Sequence, residues 1–484
     1  MMRDENALLR EENKLLREEN VVLHALVAEL LPLKERVEEL SAQVRQLENR
    51  VAKDSHNSHL PPSSDRFVRK PKSLRKTSDK HAGGQAGHPG NTLQLSATPD
   101  QVIVHPVEQC MQCQHDLHEV KAQQVERRQV IDLPPRRVEV IEHQAERKCC
   151  PVCQQVTQAP FPSTVHAPVQ YGPVLSAVAV YLVQQQLVPY ERACEILFDL
   201  FGHCPRVGTL CTLVERCAQT LVPVEEQIKH ALCQRAVLHQ DETGLYVAGK
   251  RHWVHVSATQ DLTHYMVHPK RGKDALEAIG ILHDFRGVSV HDGWSSYWHY
   301  SCGHALCNVH LLRDLTFVHE EEKQEWAAEM KSLLLDMKAA VEQARMQGRE
   351  SLHPLEVQDW KARYHGLLEQ AAEAPSMKQV PVPKGKGRHK QSAAHNLLAR
   401  LLHDQQAVLA FVENFAVPFD NNLAERDLRM LKVQQKISGC FRSVAGAQAF
   451  CRIRGYLSTL RKQNLSLLNA LEQVLLGQPV LPAF

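Results

Sequence analysis

An apolar residue recurs at every seventh position near the N-terminus, and this spacing constrains the first part of the chain to one long helix. The series is Leu9, Leu16, Leu23, Leu30, Val37, Val44 and Val51, with Leu26, Leu33, Leu40 and Leu47 at a second seam position. Residues 1–53 are therefore predicted to form a coiled-coil, leucine-zipper-like arm that assembles copies of the chain into a homodimer or higher oligomer. Pro32 should kink or split this helix. An intramolecular helical hairpin is the alternative.

Cations are clustered in the chain, although its formal charge is only +2. Residues 54–100 combine Pro, Gly and Ser with a basic run from Arg66 to Lys80, a composition that cannot bury a core and predicts a basic linker. A second basic cluster lies between Glu425 and Lys462. Such patches usually bind polyanions, so DNA is the expected partner, and a solvated basic face is the alternative.

No apolar run reaches the roughly 18 residues of a membrane span, and the charged N-terminus has no signal-peptide core. The 14 cysteines are mostly scattered through helical sequence, which is typical of a reducing compartment. We therefore expect a cytoplasmic, nucleoid-associated protein without a membrane partner.

Two Cys-x-x-Cys pairs lie in residues 101–166 and predict a small zinc-binding module, or zinc ribbon. The predicted ligands of one structural Zn²⁺ are Cys110, Cys113, Cys150 and Cys153. Cys149 competes with Cys150 as a ligand, and His115 is a weaker rival. Residues 125–133 and 137–143 are expected to form strands between the pairs. A redox Cys-x-x-Cys is the alternative.

The sequence from 167 to 232 predicts several helices, two of them around a turn that contains Gly202. This arrangement is typical of a helix-turn-helix DNA-binding domain, and an ordinary helical bundle is the alternative.

In residues 233–443 the apolar residues are first spaced as in β-strands and then as in helices. Three consecutive strands, a helix and two further strands indicate a mixed α/β sheet of the ribonuclease-H-like type. A helical insertion is expected at about 311–417, and a helical region at 444–484. The whole chain is thus predicted to be a multidomain α+β protein.

Three acids are the candidate catalytic and metal-binding residues. Asp241 and Asp292 are placed at strand ends, where α/β sheets build their sites, and Glu425 lies on a helix within 420–443. Three carboxylates can hold two Mg²⁺ ions, with Mn²⁺ as a substitute, for in-line attack on a phosphodiester. Lys432 lies seven residues after Glu425 on the same helix face. The alternative for Glu425 is a capping box with Asn422.

Glu242 is a rival of Asp241, but neighbours on a strand face opposite ways, which favours Asp241. Trp294 and Trp298 could stack on an unpaired base, although core packing is the more common role of such residues.

Several long motifs resemble the insertion-sequence sixty-six family of bacterial DDE transposases, the TnpC type of the ribonuclease-H-like superfamily. They are H-Q-D-E-T-G, V-H-D-G-W, A-L-C-N-V-H-L-L-R-D-L and N-N-L-A-E-R-D-L-R-M-L-K-V-Q-Q-K-I-S-G-C-F-R-S, together with N-S-H-L-P-P-S-S-D and G-G-Q-A-G-H-P-G. The resemblance covers nearly the whole chain. It implies that Asp241, Asp292 and Glu425 are the catalytic triad and that Lys432 contacts DNA near the cleaved end. N-S-H-L-P-P replaces the commoner N-S-S-K-P-P, which loses one cation.

The expected function is therefore an insertion-sequence transposase that binds terminal inverted repeats and carries out Mg²⁺-dependent DNA cleavage and strand transfer. Companion proteins of the same element are further candidate partners. The candidate DNA-binding residues are Lys432, Arg429, Arg426, Lys436, Arg442, His310 and Arg313. Two alternatives are a non-catalytic dimeric DNA-binding regulator and a structure-specific nuclease of the same fold.

Overall fold

A computed structural model describes residues 2–51, 95–132, 138–203, 205–374 and 391–484. Most of the predicted linker and the basic loop at 381–390 lie outside these ranges. The chain divides into two compact units, one formed by Met1–Ser73, Thr164–Ala193 and Val207–Phe484, the other by Leu74–Ser163 and Cys194–Arg206. We call Thr164–Ala193 with Val207–Phe484 the sheet unit, and the described residues of 95–163 the cysteine module.

The N-terminal segment is a single helix, α1 (Met2–Val51). It continues through Pro32, so the expected split of the helix at this residue was wrong. The described apolar seam side chains are 46–61 % exposed in the isolated chain, from Leu40 at 46 % to Val37 at 61 %.

The cysteine module contains one short antiparallel hairpin, β1 (Arg147–Cys149) and β2 (Val156–Gln158). The expectation of strands at 125–133 and 137–143 was wrong for the described residues, 125–132 and 138–143, which form no strand. Val130 and Val140 are each 91 % exposed, so these segments have no apolar surface against which a strand could bury one face.

The helices between the module and the main sheet are α2 (Pro173–Val180), continued by a π-helical turn at Tyr181–Gln185, α3 (Tyr190–Phe201), α4 (Val207–Thr220) and α5 (Val222–Cys233). These bounds agree closely with the helical periods of the sequence.

The main sheet consists of β3 (Val237–Val247), β4 (Lys250–Ala258), β5 (Thr263–His268), β6 (Val288–His291) and β7 (Gly303–Leu306). Its strand order is β5-β4-β3-β6-β7. β3, β4 and β5 pair antiparallel, whereas β6 and β7 are parallel to β3. The predicted mixed sheet is therefore confirmed.

One tight turn and one close backbone approach fix the register of this sheet. The hairpin between β3 and β4 turns at Ala248 and Gly249, whose φ angles of 48° and 75° are those of a type I′ turn. A Cβ on Gly287 would lie 2.4 Å from the carbonyl oxygen of Ala236, so only glycine fits where β6 begins beside β3.

The remaining helices are α6 (Lys273–Ile279), α7 (Ile281–Asp284), α8 (Asn308–Glu322), α9 (Glu325–Met346), α10 (Pro354–Glu373), α11 (Ala393–His403), α12 (Gln405–Glu413), α13 (Asn422–Ser438), α14 (Val444–Lys462) and α15 (Leu467–Leu475). Helices α2, α4 and α5 pack against α14 or α15. No described helix is long and apolar enough to cross a membrane.

Two apolar cores hold the sheet unit together. Helices α8 to α12 form one core, which extends to Val290 on β6 and to Ala305 and Leu306 on β7. Helices α13 and α14 form the other core with the face of β3 to β5 that carries Val254 and Val256.

Candidate active site

Asp241 lies within the longest strand of the sheet. The sequence placed it at a strand end, but β3 continues six residues further because it pairs with β4 as far as Val247. The parallel pairing with β6 ends earlier, at His239. Asp241 therefore lies just beyond the carboxyl end of the parallel half of the sheet, which is the side where ligand sites are built.

Asp292 directly follows the last residue of β6, and its loop is held by backbone hydrogen bonds. The Trp294 N–H donates to Asp292 Oδ1 at 2.8 Å. The Gly293 N–H donates to Nδ1 of the buried His291 at 3.0 Å, so this nitrogen carries no proton and Nε2–H donates to Nδ1 of His304 at 3.1 Å. The turn at Gly293 has a φ of 90°, which favours glycine.

Glu425 is the fourth residue of α13. The residue that caps this helix is Asn421, and its side chain makes no capping bond. Asn422 is therefore not the cap, and the capping-box interpretation of Glu425 was wrong. Glu425 Oε1 is buried without a hydrogen-bond partner among the described residues, and it lies 3.6 Å from Nε2 of His310 on α8.

The three acids influence one another electrostatically. Burial raises the pKa of Asp241 well above its usual value, the charge of Glu242 raises it further, and Asp292 and Glu425 add to the effect. Partial burial lowers the pKa of Lys432, while the charge of Asp241 acts in the opposite direction. Asp241, Asp292 and Glu425 are therefore near enough to influence one another, but within the described residues their ligand atoms do not form a group all within 4.8 Å of one another.

Glu242 has different partners from Asp241. Its Oε1 accepts a hydrogen bond from Nε of Arg271 at 2.7 Å, and its Oε2 accepts one from the Tyr297 hydroxyl at 2.6 Å. The Arg271 guanidinium also lies 3.9 Å from Asp292 Oδ2 and 3.7 Å from the ring centroid of Trp294. Glu242 therefore holds an arginine beside Asp292.

Asn421 was missed as a functional residue by sequence analysis. It is 1 % exposed, its Nδ2 donates to the Gln240 carbonyl at 2.7 Å, and its Oδ1 lies 2.8 Å from Nδ1 of His239. Its backbone N–H donates to Cys307 Sγ at 3.2 Å. Asn421 thus ties the start of the Glu425 helix to the strand residue before Asp241. The only sequence signal was its cap-type chemistry.

The other predicted site residues divide between the surface and the protein interior. Arg426, Arg429, Lys432, Lys436 and Arg442 have exposed side chains, whereas His310 and Arg313 are half-buried on α8. Trp294 is 37 % exposed. Trp298 packs against the rings of His291 and His304.

The two Cys-x-x-Cys pairs have matching backbone conformations. The N–H of Gln114 donates to the Cys110 carbonyl and that of Gln154 to the Cys150 carbonyl, each at 2.9 Å, and both glutamines have a φ of 59°. Backbone N–H groups, first those of Cys113 and Cys153, lower the pKa of the Cys110 and Cys150 thiols. Each pair is shaped to stabilise thiolates.

The described cysteines of the module do not form a group of three or more ligands at metal-binding distance. Cys307, His310 and Glu425 of the sheet unit do, with ligand atoms all within 4.8 Å of one another.

Two family comparisons match most of the chain. Residues 8–94 match a family of unknown function, DUF6444, and residues 168–449 match the family described as Transposase IS66 family. A search of curated proteins found no match. The second family accounts for more than half of the sequence and spans Asp241, Asp292 and Glu425. The chain therefore belongs to the IS66 family of transposases.

Proposed function

We propose that this transposase is a DDE enzyme that binds the terminal inverted repeats of its own element, cleaves DNA at the element ends and joins the freed 3′-hydroxyls to target DNA. The observation that carries the proposal is a set of contacts that link the three carboxylate-bearing elements. Asn421, at the start of the Glu425 helix, donates to the carbonyl of Gln240 at 2.7 Å, and Arg271, which binds Glu242 at 2.7 Å, lies 3.9 Å from Asp292 Oδ2. The strand order and the helical insertion before Glu425 support a ribonuclease-H-like fold.

The residues at this position suit Mg²⁺ or Mn²⁺. Carboxylate oxygens are the hard ligands that Mg²⁺ prefers, and Glu425 Oε1 has no hydrogen-bond partner among the described residues. Asp241, Asp292 and Glu425 would together hold two ions. Bound in this way, the ions would activate a water or a 3′-hydroxyl and stabilise the leaving oxygen. The Arg271 and Tyr297 hydrogen bonds keep Glu242 out of this ligand set.

One face of α13 would guide the DNA backbone to the acids. Glu425, Arg429, Lys432 and Lys436 follow one another at spacings of four, three and four residues, so their side chains lie along one stripe of the helix. The three cations are exposed and would neutralise phosphates beside the scissile bond. Arg426, Arg442, His310 and Arg313 would extend the contact, and the helices at 167–232 would bind the terminal repeats.

The N-terminal half would supply assembly and further DNA contacts. The exposed apolar seam of α1 supports pairing with a second copy, one protomer for each element end. Cys110, Cys113, Cys150 and Cys153 would bind one structural Zn²⁺ by bringing the two pairs together, because each pair by itself presents thiols to backbone N–H groups. The basic linker would contact phosphate, and the protein would act at the bacterial nucleoid.

The test uses Asp241→Asn, Asp292→Asn and Glu425→Gln in the full-length chain, with the exposed Asp336→Asn on α9 as the matched control. Cleavage of DNA carrying the element ends should fall at least about a thousandfold in the three site variants, while binding of the ends stays within about threefold. Asp336→Asn should cleave like the wild type. Full cleavage by all three site variants would exclude the site.

A second measurement separates the proposal from its rivals. Nicking of supercoiled DNA should require Mg²⁺ and stop with EDTA, which a non-catalytic regulator would not show. Precut ends should yield joined products longer than the substrate, which a nuclease without strand transfer would not produce.

A further inference from the structure

We infer that Cys307, His310 and Glu425 form a binding site for a thiophilic divalent cation of the zinc class. This site overlaps the carboxylate set proposed for Mg²⁺ at Glu425, but its other two ligands are different. The three come from the loop before α8, from α8 itself and from α13. Their ligand atoms all lie within 4.8 Å of one another.

The distances fit a four-coordinate ion after small side-chain adjustments. Bonds of about 2.0–2.3 Å to sulfur, nitrogen and oxygen put neighbouring ligand atoms of a tetrahedral Zn²⁺ roughly 3.3–3.7 Å apart. His310 Nε2 and Glu425 Oε1 are already 3.6 Å apart. Glu425 Oε1, buried and without a hydrogen-bond partner among the described residues, is available as the oxygen ligand.

The surroundings also hold the sulfur ligand in place. Cys307 is 1 % exposed, and the backbone N–H of Asn421 donates to its Sγ at 3.2 Å. Burial, the larger influence, raises the pKa of the Cys307 thiol to about 12, and this hydrogen bond acts in the opposite direction, so the bound cation itself must stabilise the thiolate. When the ion binds, the Sγ–H proton leaves to solvent and a sulfur–metal bond forms. One thiolate, one carboxylate and a neutral imidazole then balance the charge of a divalent ion, which suits a largely buried site.

The ligand chemistry selects the ion. Thiolate and imidazole favour Zn²⁺ or Co²⁺, whereas Mg²⁺ prefers oxygen ligands. The consequence for catalysis rests on the proposed function: an ion held by Cys307 and His310 would occupy Glu425 and compete with Mg²⁺. Excess Zn²⁺ should therefore slow Mg²⁺-dependent nicking at least about tenfold.

The test is Co²⁺ absorption spectroscopy on the full chain, after an equimolar addition of Zn²⁺ to fill the Cys-x-x-Cys pairs. The wild type should show the thiolate charge-transfer band and the visible bands of tetrahedral Co²⁺. Cys307→Ser should lose the charge-transfer band, and His310→Gln should weaken Co²⁺ binding at least about tenfold. Cys440→Ser, which removes an exposed thiol outside the site, should match the wild type.

Tryptophan fluorescence during urea unfolding would establish that each variant is folded. A Cys307→Ser spectrum identical to that of the wild type would overturn the site. If excess Zn²⁺ left nicking unchanged, the inferred competition between Zn²⁺ and Mg²⁺ for Glu425 would be wrong. The proposed function is tested separately, by measuring Mg²⁺-dependent nicking of the wild type without Co²⁺ or excess Zn²⁺. This measurement depends neither on the Co²⁺ spectra nor on the effect of excess Zn²⁺.

Discussion

The sheet unit and the cysteine module position their functional side chains by different means. In the sheet unit, Asp241 and Glu425 are carried by β3 and α13, which bury a shared apolar core. In the cysteine module, Val152 beside the second pair is 90 % exposed, and Cys113 and Cys153 are exposed as well. Apolar burial can therefore fix the acids before any ion binds, whereas the proposed zinc site would have to supply the folding free energy that the exposed cysteine module lacks.

Removal of zinc is the strongest test of this difference. Chelation should make the cysteine module sensitive to protease and its thiols reactive, because a structural zinc site contributes on the order of 10 kcal/mol to folding. The sheet unit should keep its unfolding transition. All five tryptophans lie between Trp253 and Trp360, so tryptophan fluorescence reports on that unit alone.

Metal analysis sharpens the same experiment. The purified chain should hold at least about one Zn²⁺, and Cys113→Ser should lower its zinc content by about one ion per chain while the exposed Cys440→Ser does not. Equal protease sensitivity with and without chelator would contradict a metal-dependent module.

Cavity formation in the apolar core should produce the next largest effect. Leu431 on α13 is 2 % exposed, whereas Val433, two residues later, is 37 % exposed. Leu431→Ala should lower the unfolding free energy of the sheet unit by about 3 kcal/mol, and Val433→Ala by less than about 1 kcal/mol. Urea unfolding followed by tryptophan fluorescence measures both. Equal losses in the two variants would mean that this core does not hold the Glu425 helix.

The spacing of apolar residues along the sequence correctly predicted the helix that carries Glu425 and the strands of the sheet, because both depend on neighbouring residues. The helical spacing of Leu423, Ala424, Leu428 and Leu431 in the sequence predicts one apolar stripe, and these four residues are buried because one face of the helix packs against the sheet. The five strands follow the predicted order along the chain. In the cysteine module the same method failed, because alternation in a sequence produces a strand only where one face can be buried.

Long-range contacts could not be predicted in this way. Asp241 lies inside a strand because residues beyond it pair with β4, a result of tertiary pairing rather than of the local sequence. The role of Asn421 depends on Gln240 and Cys307, which are 181 and 114 residues away along the chain. Sequence alone could identify Asn421 only as a residue type common at helix starts.

Asn421 offers a test of whether polar contacts add to the apolar positioning of α13. Asn421→Ala would leave the Gln240 carbonyl and His239 without their partner, and a buried group left unsatisfied costs about 1–3 kcal/mol. We expect the unfolding free energy in urea to fall by about 2 kcal/mol. Cleavage should then require a higher Mg²⁺ concentration, because the helix that carries Glu425 is less firmly positioned. The neighbouring Asn422 is exposed, so Asn422→Ala should change stability by less than about 0.5 kcal/mol. Identical behaviour of the two variants would mean that apolar burial alone positions the helix.

Acid should destabilise the sheet unit through the buried His255, by less per pH unit than the losses expected for Leu431→Ala and Asn421→Ala. Burial, the largest influence, lowers the pKa of His255 to about 4, whereas an unfolded histidine titrates near 6.5. The folded chain therefore takes up this proton less readily than the unfolded chain. Stability is fully present above about pH 6.5 and falls as the pH decreases towards 4, by on the order of 1 kcal/mol per pH unit for this group.

His255→Gln removes this titration. As the pH is lowered from 6.5 to 4, the unfolding free energy of the wild type should therefore decrease more than that of the variant. The exposed His283→Gln should show no such trend, since its side chain is 71 % accessible. The described histidines of the cysteine module are likewise exposed, which confines the burial effect to the sheet unit. A pH-independent difference between the wild type and His255→Gln would mean that His255 is not held neutral by burial. The core around β4 would then be more open to water than its apolar neighbours imply, and the contrast between the two regions would be weaker.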